Sequence, residues 1–264
     1  MLERLIQTIR TDDPGDEDVA ATRERLKGNF PPATVRRMTQ LGMLMSAILD
    51  ELAPRRDDAI IYATQYGEGR TLERFLDSFP AASPTGFQTS IHPGAVQQGM
   101  IRRARPVGEF FPMSGSDWLA GHSLLAAFLS PAPRVLLCGG EERGTWLTVI
   151  DGASTRTFAY GMSLVSNDSA DPAQPPAGRI TLEPDTGIDI DIGTGSNTGS
   201  NINTGTNIDI NTNTAGTNTA GTAIAGTAIA GTGTAIAAAA ATPLAPGAWF
   251  DLLHARKNFS GTIA

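Results

Sequence analysis

Apolar residues between Val35 and Leu52 recur every three or four positions: Val35, Met38, Leu41, Leu44 or Met45, Ile48 and Leu52. That spacing forms one stripe and predicts a helix over 35–52. Arg36 and Arg37 fall at its start. AIIYAT (59–64) is short, apolar and β-prone, the profile of a buried strand. After Gln65-Tyr66-Gly67-Glu68-Gly69, a second helix is expected with Leu72, Phe75, Leu76 and Phe79 inward, and another over 93–103. From Trp118 to Leu129 the chain is apolar almost all round, which predicts a helix sandwiched inside the protein, capped by Ser114 or Ser116. RVLLC (134–138) reads as another buried strand, and 157–165 with 179–182 as an antiparallel pair closed by a Ser/Asp/Pro loop. Upstream, Pro14, Pro31 and Pro32 interrupt residues 1–34, and MLERLIQTIRTDD reads as a short amphipathic helix, not a signal peptide. The tail WFDLLHARKNF (249–259) predicts a short helix folded back on the body. This order of elements implies a layered α/β domain.

From Asp185 to about Ala241 the pattern dissolves into Gly, Thr, Asn, Ala and Ile, ending in near-repeats such as AGTAIAGTAIAGTGTAIA. Such composition buries too little apolar surface to offset chain entropy, so a disordered insert is expected. A β-stack built on the pentad GTAIA is the alternative. The tract has no Lys, Arg, Glu, His, Cys or aromatic residue, so the chemistry must lie elsewhere.

The 264 residues carry a formal net charge of -7, of which Asp185, Asp189, Asp191 and Asp209 belong to the tract, leaving the body near -3 (-7 + 4). A mildly acidic body has no general attraction for nucleic acid or anionic lipid. One cysteine, Cys138, excludes an internal disulfide framework and a cysteine-based metal cluster. His92, His122 and His254 are scattered, which argues against zinc; no metal and no cofactor is expected. No apolar run reaches the ~20 residues of a membrane span, and a cytoplasmic protein is the expectation. The glycine pair Gly67/Gly69 fits neither phosphate-loop pattern and reads as a tight turn.

Several segments together resemble β-ketoacyl synthases of the thiolase-like superfamily. PAPRVLLCGGEE is similar to that family's strand and glycine-acid segment, RRMTQLGMLMSAILDEL to its early helix, and AIIYATQYGEG to the next strand and turn. FQTSIHPGAVQQG resembles the stretch before the nucleophile, and FAYGMSLVS with GRITLEP the strands that close the first half. The nearest resemblance is to half-length, chain-length-factor-like proteins that accompany type II polyketide systems such as those making aryl polyenes. It covers about residues 32–183.

The resemblance implies an α/β fold equal to the N-terminal half of the αβαβα thiolase-like architecture. It also supplies a chemical test. A working ketosynthase needs a thiolate at a helix N-terminus and two further residues, usually His, from a second half. Counting back from Gly139 along the family's spacing puts the nucleophile at Ser114, or at Ser116 with a loop deletion; neither is Cys. Serine needs a general base, and His122 lies about two turns further along the same helix, ~12 Å away in rise. Cys138, on a buried strand, reads as a core residue.

The implied function is a non-catalytic chain-length-factor-like subunit, pairing as a heterodimer with a full-length β-ketoacyl-acyl carrier protein synthase in fatty acid or aryl polyene-type polyketide biosynthesis. Arg36, Arg37, Arg102, Arg103 and Arg105 are candidate contacts for an acidic acyl carrier protein, with ordinary solvated helix ends as the competing reading. Three alternatives stand beside it: a residual serine-dependent acyl transferase or thioesterase, a scaffold whose useful part is the repeat, and a decayed copy. The expected organisation is a variable segment (1–31), the ketosynthase-like domain (32–183), the low-complexity tract (184–245) and a C-terminal helix or tail (246–264).

Overall fold

One mixed sheet organises the chain in the computed structural model, which describes residues 2–35, 37–104, 106–116, 118–169, 175–183, 187–192, 245–255 and 259–260. In chain order the elements are β1 (Leu2–Asp12), α1 (Val19–Leu26), α2 (Pro32–Val35), α3 (Gln40–Leu52), β2 (Ala59–Thr64), α4 (Gly69–Leu76), α5 (Pro84–Ser90), α6 (Gly94–Arg103), β3 (Glu109–Ser114), α7 (Leu119–Leu129), β4 (Arg134–Glu141), β5 (Phe158–Val165), β6 (Gly178–Glu183), β7 (Gly187–Ile192), α8 (Pro246–His254) and β8 (Phe259–Ser260). The strands run in the order β3-β2-β4-β5-β1-β6-β7-β8. The β3, β2 and β4 neighbours are parallel and the remaining pairs antiparallel.

Alternation along the central strands divides the core in two, because successive side chains of a strand point to opposite faces. Ile61, Val135, Leu137, Tyr160 and Met162 face a layer made by α7 and α8. Ile60, Tyr62, Leu136 and Cys138 face a layer that includes α1, α3 and residues of α6. On the first side Trp249 of α8 packs edge-on against Tyr160, and Phe250 packs against Phe158 with ring centroids 4.7 Å apart. Each such fully enclosed aromatic contributes about 2–3 kcal/mol. The tail thus folds back as a helix, as its apolar spacing suggests.

Four expectations are corrected. Residues 2–12 form the strand β1, inserted between β5 and β6, instead of a helix. A bulge at Gln7 shifts the register between Ile6 and Thr8 and turns both Ile6 and Ile9 to the same core. Apolar residues three apart on one face imitate a helical period, and that bulge is the reason. The insertion of β1 also separates β5 from β6, so 157–165 and 179–182 share a sheet without pairing.

The two long helices exchange roles. Helix α3 is enclosed nearly all round, and it starts later than its stripe, where Thr39 caps it by accepting the Gly42 amide at 2.8 Å. Helix α7 buries one face and leaves Leu129 and its preceding Trp118 exposed. Finally, α4 turns Thr71 and Glu73 inward and leaves Leu76 and Phe79 outside. The acids and hydroxyls buried there are hydrogen-bonded, which offsets the cost of removing them from water.

The first residues of the low-complexity tract, 187–192, pair as β7 with β6. The rest of that tract up to residue 244, for which disorder or a β-stack is expected, lies outside the described residues.

The ends of α3, β2 and β4 are joined by one buried ion pair. Arg134 meets Asp58 through Nε at 2.9 Å and Nη2 at 2.5 Å, and also donates to the carbonyls of Leu52 and Ala53. Both side chains are enclosed, so removing one leaves the other charge uncompensated. Arg134→Met is expected to lower the unfolding free energy by about 3 kcal/mol in urea titrations. The double variant with Asp58→Asn should lose less than the sum of the two single variants.

Candidate functional site

The C-terminal end of β4 is where the chain gathers its buried acids. Gly139 and Gly140 have no room for a side chain: a Cβ on Gly139 would lie 2.4 Å from the Ala63 carbonyl oxygen and from the Tyr160 hydroxyl. This close approach lets the backbone carry Glu141 and Glu142 directly against the turn after β2. Glu141 accepts hydrogen bonds from three successive amides, those of Gln65, Tyr66 and Gly67, at 2.6, 2.9 and 2.8 Å. Glu142 accepts from the amides of Gln40, at the start of α3, and Thr71, in α4. The GGEE segment is therefore a clamp that fixes one turn and two helix N-termini.

Two more carboxylates complete the cluster. Glu73 accepts from the amides of Thr145 and Leu147 and from the Thr145 hydroxyl, and pairs with Arg70 at 3.1 Å. Burial alone would raise its carboxyl, but these donors hold it below the ordinary value. Burial, and then the neighbouring Glu142, pushes the Glu68 carboxyl up to about 8 against the pull of the Ala95 amide at the start of α6. Burial likewise pushes Glu141 up to about 7, although its amide donors favour the ionised form.

The expected nucleophile positions lie on the other side of β2. Ser114 is the last residue of β3, registered beside Thr64, and its hydroxyl donates to the Thr64 carbonyl at 3.1 Å. Ser116 lies in the following loop, and its carbonyl accepts the Leu119 amide at 3.0 Å. Neither serine caps α7, whose cap residue is Trp118 and makes no side-chain capping bond. Among the described residues no histidine is hydrogen-bonded to either serine. The His92 ring stacks on Tyr62 at 5.3 Å, its two nitrogens are enclosed without hydrogen-bond partners, and burial lowers its pKa. His122 is exposed on α7, while His254 shares a hydrogen bond with Thr11 and stacks on Phe250. Cys138 is fully buried on β4, where burial pushes its thiol up to about 12. A thiol so placed is a core group, as the sequence implies, and supplies no thiolate near neutral pH.

The arginines suggested as carrier contacts divide. Arg36 and Arg105 lie outside the described residues. Arg102 and Arg103 both pair with Asp50, Arg103 also donates to the Leu49 carbonyl, and Arg102 covers the Phe30 ring at 5.0 Å. Arg37 is exposed and lines a cleft between α1, α4 and α5.

Sequence patterning missed the acid cluster, because carboxylates spread over Glu68, Glu73, Glu141 and Glu142 converge only through the β2–β4 pairing. The one signal available was the pair of acids following a buried apolar strand. Among the described residues no group of acids, histidines or cysteines is arranged to hold a metal ion, and no helix is long and apolar enough to cross a membrane.

With this geometry in place, comparison with solved structures identifies the fold. A chain of the ketosynthase (ApeO) in complex with its chain length factor (ApeC), from Xenorhabdus doucetiae, superposes with a TM-score of 0.51 at 21% identity, covering 63% of this chain and 80% of that one. A β-ketoacyl synthase from Burkholderia phymatum gives 0.49 at 10% identity over 68% of this chain and 63% of its own. The ishigamide ketosynthase/chain length factor gives 0.49 at 10% identity over 68% and 62%. The chain thus matches less than two thirds of the length of these last two structures. No family model matches the chain, and no curated protein matches it in sequence. The chain shares the layered α/β fold of that first structure, the fold class the resemblance implies.

The raised carboxyls set a pH dependence. An unfolded glutamate titrates near ~4.3, so between that value and about 8 the folded chain binds more protons than the unfolded chain. The stability due to this protonation is complete below the unfolded value and is lost as pH rises through about 7 for Glu141 and about 8 for Glu68. Denaturant midpoints are therefore expected to fall between pH 5 and pH 9. Glu68→Gln should gain stability over the parent chain as pH rises from 5 to 9.

Proposed function

We propose that this chain is a non-catalytic, chain-length-factor-like subunit that pairs with a full-length β-ketoacyl-acyl carrier protein synthase. The observation that carries the reading is that the end of the sheet where chemistry would be expected has no activated nucleophile, while the adjoining edge is built for contact. Ser114 spends its hydroxyl proton on the Thr64 carbonyl, and Cys138 is sealed in the core. Strand β3 ends the sheet, so its outer row of amides and carbonyls has no strand beside it among the described residues. Phe111 on that strand, Trp118 after it, and Leu129 at the end of α7 are all exposed, at 46%, 47% and 68%. A free edge with apolar side chains is costly to leave in water and suited to a partner. The likeness of fold to a chain from a ketosynthase in complex with its chain length factor supports the same reading.

On this reading the product is an acyl chain of the fatty acid or aryl polyene-type polyketide class, and the subunit works in the cytoplasm. Arg37, Arg102 and Arg103 are the described residues proposed to meet an acidic acyl carrier protein. Loss of Ser114 should be silent, because a subunit that shapes a partner needs no acyl-enzyme. The organisation proposed is one ketosynthase-like domain over 32–183, with residues 2–12 contributing their strand to it.

Co-expression with a full-length ketosynthase, followed by native mass spectrometry, tests this directly. A one-to-one complex is expected, unchanged by Ser114→Ala and Ser116→Ala and weakened at least tenfold by Phe111→Asp. A soluble monomer or self-dimer with no ketosynthase bound would overturn the proposal, as would thioester hydrolysis that disappears in Ser114→Ala.

A further inference from the structure

The cleft between α1, α4 and α5 has a volume of about 830 Å³ and three arginines in its wall: Arg23 from α1, Arg37 from the loop before α3, and Arg74 from α4. No aspartate or glutamate lines it among the described residues. That is unusual in this chain, where most other arginines are ion-paired, several of them in networks such as Arg25 with Asp12 and Glu17, or Arg156 with Asp13 and Asp251. The side chains of Arg23 and Arg37 make no ion pair or hydrogen bond with any described residue, and the Nε of Arg23 is enclosed without a partner. Arg74 donates to the Thr71 hydroxyl at 2.9 Å and otherwise acts on the buried Glu142 only through its field. Thr85 and Thr89 of α5 add neutral hydroxyls to the wall opposite.

Three arginines around one cleft that no carboxylate lines among the described residues give it a positive potential, and an enclosed, unpaired N–H is costly. An anion entering the cleft answers both. The guanidinium fork matches phosphate oxygens two at a time, and the Thr85 hydroxyl can add to the shell, that of Thr89 being donated to the Thr85 and Gly86 carbonyls of its own helix. The volume lies within the range for a small organic ligand and exceeds what one phosphate would fill. We propose that this cleft binds a phosphorylated small molecule carrying at least two negative charges, of the organic diphosphate class. Arg23, Arg37 and Arg74 hold the phosphates, and Thr85 and Thr89 face the remainder. The proposal does not depend on pairing with a ketosynthase and can be tested on the chain alone.

Titration calorimetry of the full chain with inorganic pyrophosphate, at fixed ionic strength set by sodium chloride, is the experiment. Saturable one-to-one binding is expected, with inorganic phosphate binding at least tenfold more weakly. Arg23→Gln and Arg74→Gln should each weaken pyrophosphate at least tenfold, while Arg23→Lys, which keeps the charge and loses the fork, weakens it less. Arg55→Gln removes an exposed, unpaired arginine outside the cleft and should change nothing. Thermal midpoints without ligand establish that each variant is folded. Failure to saturate at millimolar pyrophosphate would overturn the proposal, and so would a loss in Arg55→Gln equal to that in the cleft variants, the signature of diffuse surface charge.

Discussion

Strand β4 has no side in contact with water, and the arrangement of the domain stems from that constraint. A strand enclosed on both faces must be apolar along its length, must pair on both edges, and can carry polar groups only where backbone donors meet them. All three conditions hold. Val135 and Leu137 enter one core layer and Leu136 and Cys138 the other. Strand β2 pairs on one edge and β5 on the other. The polar groups come at the two ends, where Arg134 is held by Asp58 and two carbonyls, and where Glu141 and Glu142 are held by amides. The strand is pinned at both ends, and α3, α4 and the turn after β2 take their positions from those pins.

The same constraint explains the buried acids beyond the strand. Carboxylates that organise turns are needed for the fold itself. The expected nucleophile position is a separate matter, since β3 forms the edge of the sheet. Ser114, hydrogen-bonded to a neighbouring carbonyl, fits that role as strand-end chemistry. Helix α7 is apolar almost all round, yet it buries one face and leaves Leu129 exposed.

Much of the fold was legible in the residues. The buried strands at 59–64 and 134–138 are short apolar runs, and no other element suits such a run between helices. The tail helix was legible because Trp249, Leu252 and Leu253 can be enclosed together only by packing back on the body. Two readings failed for a shared reason, namely that hydrophobic spacing reports which residues are apolar but not which surface will cover them. Ile6 and Ile9 are three apart, and a bulge, invisible to periodicity, puts them on one face of a strand. Thr71 and Glu73 are turned inward because Glu142 and the 145–147 backbone wait there with partners.

The sequence by itself determined what is local or compositional: the α/β class, the single cysteine on a buried strand, and the resemblance that pointed to a ketosynthase half. Only the tertiary structure decided which helix would be enclosed, where β1 would insert, and that Arg23, Arg37 and Arg74 would share one cleft without a carboxylate. The division has a physical cause. Periodicity and composition act over a few residues, whereas burial and charge neutralisation depend on partners that chain topology brings from far along the sequence.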